Sequence, residues 1–228
     1  MLPILLTFWP FMEKVFKNNK KYLGNCVKED EEKIQRNALS SLNAIGTIIL
    51  GALYLKTNNS LIFMASILYP IVFYIYDTYY IWFNKKEEGF AYIIHHLAAI
   101  YYIQCIYLYD TKMRNVMLSG LICIELSNLP LYFVYDFLKK NKEKNINYYK
   151  KLIGFKEIQL TIYGFFRILI YGYIIYNYSK EALHQPILIS SIYLLFFMGV
   201  YWLQHQIKGY FKTKKEYKEL LNKNTNNK

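Results

Sequence analysis

Apolar and charged residues separate along this chain into long blocks. Six apolar stretches stand out, at 37–54, 61–83, 89–109, 113–138, 152–178 and 187–207. Each approaches or exceeds the roughly twenty residues that carry a helix across the hydrocarbon layer of a bilayer. A lone strand there would leave its backbone N–H and C=O groups unpaired, so every stretch is predicted to be helical. The expected fold is all-α: a polytopic integral membrane protein with a six-helix bundle. Residues 1–11 are also apolar. Extended through Phe16, the segment reaches about 24 Å at 1.5 Å per residue. It reads either as a short or tilted N-terminal span added to the six or as a segment lying in the membrane interface. No basic residue precedes its apolar run, so it does not read as a cleaved signal peptide. The pattern divides the chain into an N-terminal apolar segment (1–16), a charged linker (17–36), a membrane domain (37–211) and a basic tail (212–228).

The charges between the stretches give an orientation. One side carries 22 Lys and Arg, in residues 13–36, 84–88, 139–151 and 208–228; the other carries 4, Lys56, Lys112, Arg114 and Lys180. Apart from Arg114 at the very edge of its stretch, only Lys156 and Arg167 fall inside one. Basic loops stay on the cytosolic side, which places the C-terminus in the cytosol and Met1 in the lumen if the first segment spans. Protease added to intact microsomes is expected to remove a tag placed after Lys228. A shielded tag would reverse the orientation. The lumenal turns around Asn58, Asp110 and Glu181 are too short to form a folded domain.

Composition adds little to this picture but excludes several alternatives. With 54% hydrophobic and 19% aromatic residues, the chain is too apolar for an ordinary soluble domain. A net charge of +12 could suggest nucleic acid. The basic residues flank membrane stretches, no nucleic-acid-binding motif accompanies them, and anionic lipid surfaces account for them better. Cys26, Cys105 and Cys123 are scattered without C-x-x-C spacing, so neither a disulfide framework nor a zinc site is indicated. No metal site and no cofactor are expected.

Polar residues inside apolar stretches are costly, and their default meaning is function. Asn43, Asp77 and the adjacent pair His95 and His96 each lie six or seven residues from the basic end of their stretch. That depth is about 9 Å at the helical rise. The four residues therefore form one predicted layer. Successive residues on a helix point about 100° apart, from 3.6 residues per turn. One histidine is expected to face a pocket while the other meets a neighbouring helix. Asp77 is the natural partner, since a carboxylate fixes a histidine tautomer and raises its basicity. Deeper down, Glu125 and Arg167 lie near mid-span, where neither stays charged without a counter-charge or a shared polar cavity. Ser127, Asn128 and Pro130 follow Glu125 closely. Lys156, Glu157 and Gln159 are expected to continue the polar lining toward the cytosol. His184, Gln204 and His205 read as surface residues.

Several of these residues stand in a recognisable order. Ser41-Leu42-Asn43-Ala44, Tyr76-Asp77, Ile94-His95-His96-Leu97, Glu125-Leu126-Ser127 with Pro130, Phe166-Arg167-Ile168 and Trp202 with Lys208-Gly209 together resemble the TLC (TRAM, Lag, CLN) membrane proteins. The resemblance runs from Arg36 to about Phe211. It implies six core helices, often with one or two more, in the endoplasmic reticulum membrane. It also implies a role in lipid metabolism, sphingolipid metabolism in the best-understood members. Those members, the ceramide synthases, acylate a sphingoid amine from acyl-CoA. Where they carry two aspartates three apart, this chain has Glu125 and Asn128; where they have Thr after the histidine pair, it has Ala99. The departures place it nearer the smaller TLC-domain proteins.

Two functions follow. The first is binding of membrane lipids, with an influence on lipid composition or trafficking. Its polar cavity would use Asn43, Glu125, Ser127, Asn128 and Arg167. The alternative is a ceramide-synthase-like N-acyltransferase with acyl-CoA as co-substrate. In it His95 or His96 acts as general base or accepts the acyl group, and Asp77 or Glu125 orients it.

Overall fold

The computed structural model describes residues 2–19, 22, 28–84, 90–141, 144–178 and 185–226. Cys26, Lys180, Glu181 and His184 lie outside them. Among the described residues all regular structure is helical. The helices are α1 (Leu2–Asn18), α2 (Lys28–Thr57), α3 (Ser60–Asn84), α4 (Phe90–Leu108), α5 (Thr111–Lys140), α6 (Ile146–Tyr163), a π-helical segment (Gly164–Ile170), α7 (Tyr171–Tyr178) and α8 (Pro186–Asn226). Six spans are long and apolar enough to cross a membrane: Asp30–Thr57, Ser60–Phe83, Phe90–Leu108, Thr111–Lys140, Ile146–Asn177 and Pro186–Thr225. The chain is a polytopic helical membrane protein.

Helix starts follow local chemistry. Asp110 caps α5 by accepting the Met113 N–H at 3.0 Å, and Asn145 caps α6 by accepting that of Tyr148 at 2.9 Å. Asn59 accepts from Leu61 and Ile62 at the start of α3. Such side chains satisfy N–H groups that have no partner within the helix. Asn58, between α2 and α3, has φ of 50°, a left-handed turn that asparagine tolerates.

Two boundaries depart from the hydrophobic pattern, and one span is not uniform. α2 begins at Lys28 and α8 continues unbroken to Asn226, so much of the expected linker and tail is helical. The extension of α8 has a physical reason. Thr213, Tyr217 and Leu220 recur at helical spacing; Thr213 is buried, and Tyr217 and Leu220 pack on Tyr148, Tyr149 and Leu152. Lys156 donates to the Gly209 carbonyl and the Thr213 hydroxyl, both at 2.8 Å, and Glu157 accepts from Tyr210 at 2.5 Å. Lys156 and Glu157 thus tie α6 to α8 instead of lining a cavity. Where one uniform span was expected at 152–178, residues Gly164–Ile170 are π-helical, and the Tyr171 N–H reaches back to the Phe166 carbonyl. Pro130 lies inside α5 without ending it.

α1 has 17 residues. That is about 26 Å of helix, slightly less than the apolar thickness of a bilayer. It docks through Trp9, which is fully buried against Tyr69 (5.0 Å between ring centres) and Phe73 (4.8 Å) of α3. At the opposite face the basic end of the bundle is laced by polar contacts. Asn37 donates to the Tyr132 carbonyl at 2.8 Å and to Asp136 at 2.6 Å, and Lys139 pairs with Asp30 at 2.8 Å. Tyr22 donates to Asp136 at 2.8 Å. Burial, then this hydrogen bond, pushes the Tyr22 phenol well above its ordinary value.

Candidate functional site

Polar residues recur on one face of α2. Arg36, Ser40 and Asn43 are spaced by four and seven residues, and Thr47 continues the stripe one turn further. The first three line a cavity of about 490 Å³. α3 contributes Tyr74 and Asp77, and α4 contributes Tyr92 and His96. Asn128 and Tyr132 of α5 and Trp202, His205 and Gln206 of α8 complete the wall. The cavity has a size typical of ligand pockets. Its exposed residues, Lys33, Tyr92 and His205, lie toward the basic ends of their helices. Asn43, Tyr74 and His96 are buried at its floor.

Asp77 is the centre of this floor. One carboxylate oxygen accepts from Arg36, from Nη2 at 2.9 Å and from Nε at 3.3 Å. The other lies 3.6 Å from His96 Nε2, an electrostatic contact slightly too long for a hydrogen bond. His96 Nδ1 lies 3.1 Å from the Thr78 hydroxyl. The ring is therefore held from both sides.

His95 points elsewhere, as the turn of the helix dictates. Its ring meets Trp202 edge-on at 5.0 Å, and its Nδ1 is buried without a hydrogen-bond partner among the described residues. The cavity reaches His96 and not His95.

The deep residues stand behind the cavity wall. Glu125 is buried, and the Tyr74 hydroxyl donates to it at 2.7 Å. Tyr74 therefore links this carboxylate to the cavity it lines. Arg167, also fully buried, donates to the Leu195 carbonyl at 3.2 Å, and its Nε and Nη1 have no partner among the described residues. Glu125 and Arg167 do not pair directly. The π-helical segment turns Arg167 onto α8, where a Cβ at Gly199 would come within 2.7 Å of Nε. Ser127 sits behind the wall as well, its hydroxyl returned to the Ile124 carbonyl of its own helix at 2.5 Å. Asn43 and Asn128 are the members of the expected polar group that line the cavity.

Arg36, Thr78 and Tyr74 escape a reading of the sequence by depth. Arg36 lies one residue before the first long apolar stretch and was counted with the loop charges. The signal that finds it is its spacing of seven from Asn43, which puts both on one face once α2 begins at Lys28. Among the described residues, no three His, Cys, Asp or Glu side chains cluster as they would to hold a metal ion. Cys105 and Cys123 are buried free thiols.

No curated protein and no solved structure gives a significant match to the chain. A family model does match, the TLC domain, over residues 34–208, well over half of the length and including every residue of the cavity except Lys33. The chain belongs to the TLC-domain family of membrane proteins.

Proposed function

We propose that this protein binds a membrane lipid and influences lipid composition or trafficking, with the lipid's polar head at the Asp77–His96 layer. The observation that carries the reading is a buried carboxylate–histidine pair facing a cavity of about 490 Å³, whose wall joins polar side chains to the apolar Phe73, Ile81, Leu131 and Trp202. An amphiphile matches both kinds of surface. The charge asymmetry of the loops puts the mouth on the cytosolic side. The family favours the endoplasmic reticulum.

One observation favours the alternative, an N-acyltransferase of the ceramide synthase type: a carboxylate stands beside a histidine on a cavity, the arrangement a general base needs. Another weighs against it. Both nitrogens of His96 already face partners, Asp77 and Thr78, so a substrate proton would have to displace one of them. Binding requires no such displacement.

The test uses full-length protein purified in mild detergent, with extracted lipid identified by mass spectrometry. Lipid is expected to copurify with the wild type. His96→Ala should reduce its retention about tenfold, equivalent to roughly 1.4 kcal/mol. His95→Ala should change it little. Incubation with acyl-CoA and a long-chain base should give no amide-linked product. Turnover that His96→Ala abolishes would establish the acyltransferase instead. Absence of both lipid and turnover would refute the binding reading.

A further inference from the structure

Among the described residues, every cation that lines the cavity faces a carboxylate. Arg36 is held by Asp77 at 2.9 Å, and Lys33 lies 4.0 Å from Asp30, which it shares with Lys139. Two more carboxylates stand nearby. Glu32 accepts from Tyr80, whose ring lies 4.8 Å beneath the Arg36 guanidinium, and Glu13 accepts from Tyr76. The exposed His205 Nδ1 donates to the Tyr201 carbonyl at 3.0 Å. A phosphate entering here would approach Asp77 and would have to break the Arg36–Asp77 pair. Among the described residues that line it, the cavity offers no cation without a carboxylate nearby.

Uncharged hydrogen-bonding groups, by contrast, remain open. Asn43 is 2% exposed, lines the cavity, and its Oδ1 has no partner among the described residues. Gln206, on α8, has neither Nε2 nor Oε1 partnered among the described residues. Buried polar atoms without partners cost free energy, and a ligand that supplies the missing bonds recovers it. Asn43 Oδ1 calls for a donor, and the Gln206 amide for a group that both donates and accepts.

We infer that the cavity selects an amphiphile with an uncharged, hydroxyl-bearing head over one with a phosphate head, read by the amides of Asn43 and Gln206. One hydroxyl of the head would donate to Asn43 Oδ1, and another would pair with the Gln206 amide. This deepens the proposed function and rests on it, since it presumes that the cavity holds lipid.

The probes are monooleoylglycerol and oleoyl-lysophosphatidic acid, which share one acyl chain and differ in the phosphate. Each is titrated in radiolabelled form onto the full-length protein in detergent micelles. Monooleoylglycerol is expected to bind at least about tenfold more tightly. Asn43→Leu should weaken its binding about tenfold and leave the phosphate lipid unchanged. Gln206→Met, nearer the cavity mouth, should do the same and serves if the buried substitution fails to fold. Equal or tighter binding of lysophosphatidic acid would overturn the head-group assignment while leaving lipid binding intact. Tight monooleoylglycerol binding indifferent to both substitutions would show that water alone satisfies the amides, and would overturn the site. Binding of neither lipid, with nothing copurifying, would remove the proposed function and this inference together.

Discussion

Glu125→Leu is expected to destabilise the protein by about 1–3 kcal/mol, the cost of leaving a buried polar group without its partner. Glu125 and Arg167 do not touch, but both are buried, so an interaction between them would act across the core. In a low-dielectric interior such an interaction reaches further than in water. Arg167 has one hydrogen bond, to the Leu195 carbonyl. Without Glu125 it would be a buried cation with that bond and no counter-charge. The substitution also strands the Tyr74 hydroxyl, which donates to the carboxylate. Glu125→Gln separates the two effects, because it keeps an acceptor for Tyr74 and removes the charge. Thermal unfolding in detergent reads the loss. The double variant Glu125→Leu/Arg167→Met should lose less than the two single losses combined. Strict additivity would show that the two residues act independently.

Gly46→Ala should cost about 1–3 kcal/mol, the usual penalty for forcing an extra methyl group into packed space. A Cβ at Gly46 would lie 2.4 Å from Tyr69 Cε1, 2.5 Å from Cζ and 2.6 Å from the hydroxyl. The ring has little room to withdraw. Its hydroxyl donates to the Leu42 carbonyl at 3.1 Å, and Phe8 and Trp9 pack on it at 6.2 and 5.0 Å. Because Trp9 is the buried anchor of α1, the clash should also loosen α1 from the bundle. The checks are a lower melting temperature and faster proteolysis between α1 and α2. Tyr69→Leu in the same chain should restore part of the loss. A Gly46→Ala protein that melts like the wild type would mean that the ring is free to move.

Lipid contact and site chemistry put different demands on the same helices, and the sequence records them unequally. The six spans were legible because lipid imposes about twenty apolar residues per crossing and forces each to be helical. The layer holding Asn43, Asp77 and the histidine pair was legible because polar groups at depth are rare, and equal depth can be counted from span ends. The family was legible too, from the order of its motifs, and the family match bears it out. Helix extent was less so. Residues 28–36 and 212–226 are charged, and hydropathy alone does not reveal that Tyr217 and Leu220 pack on α6.

What the tertiary structure decided is which groups meet. Depth gives one coordinate, and rotation about each helix axis gives the other; a linear chain records the second only as a weak periodicity. Rotation puts His96 on the cavity and His95 against Trp202. It brings Arg36, counted with the loop charges, onto Asp77. At the π-helical segment, where the 3.6-residue period is lost, Arg167 is turned onto α8 and away from a direct pair with Glu125. The sequence alone determined that this chain crosses a membrane as a helical bundle and which polar residues it carries inside, because solvent chemistry acts on each residue singly. Partners depend on the packing of several helices at once, so only the folded bundle could assign them.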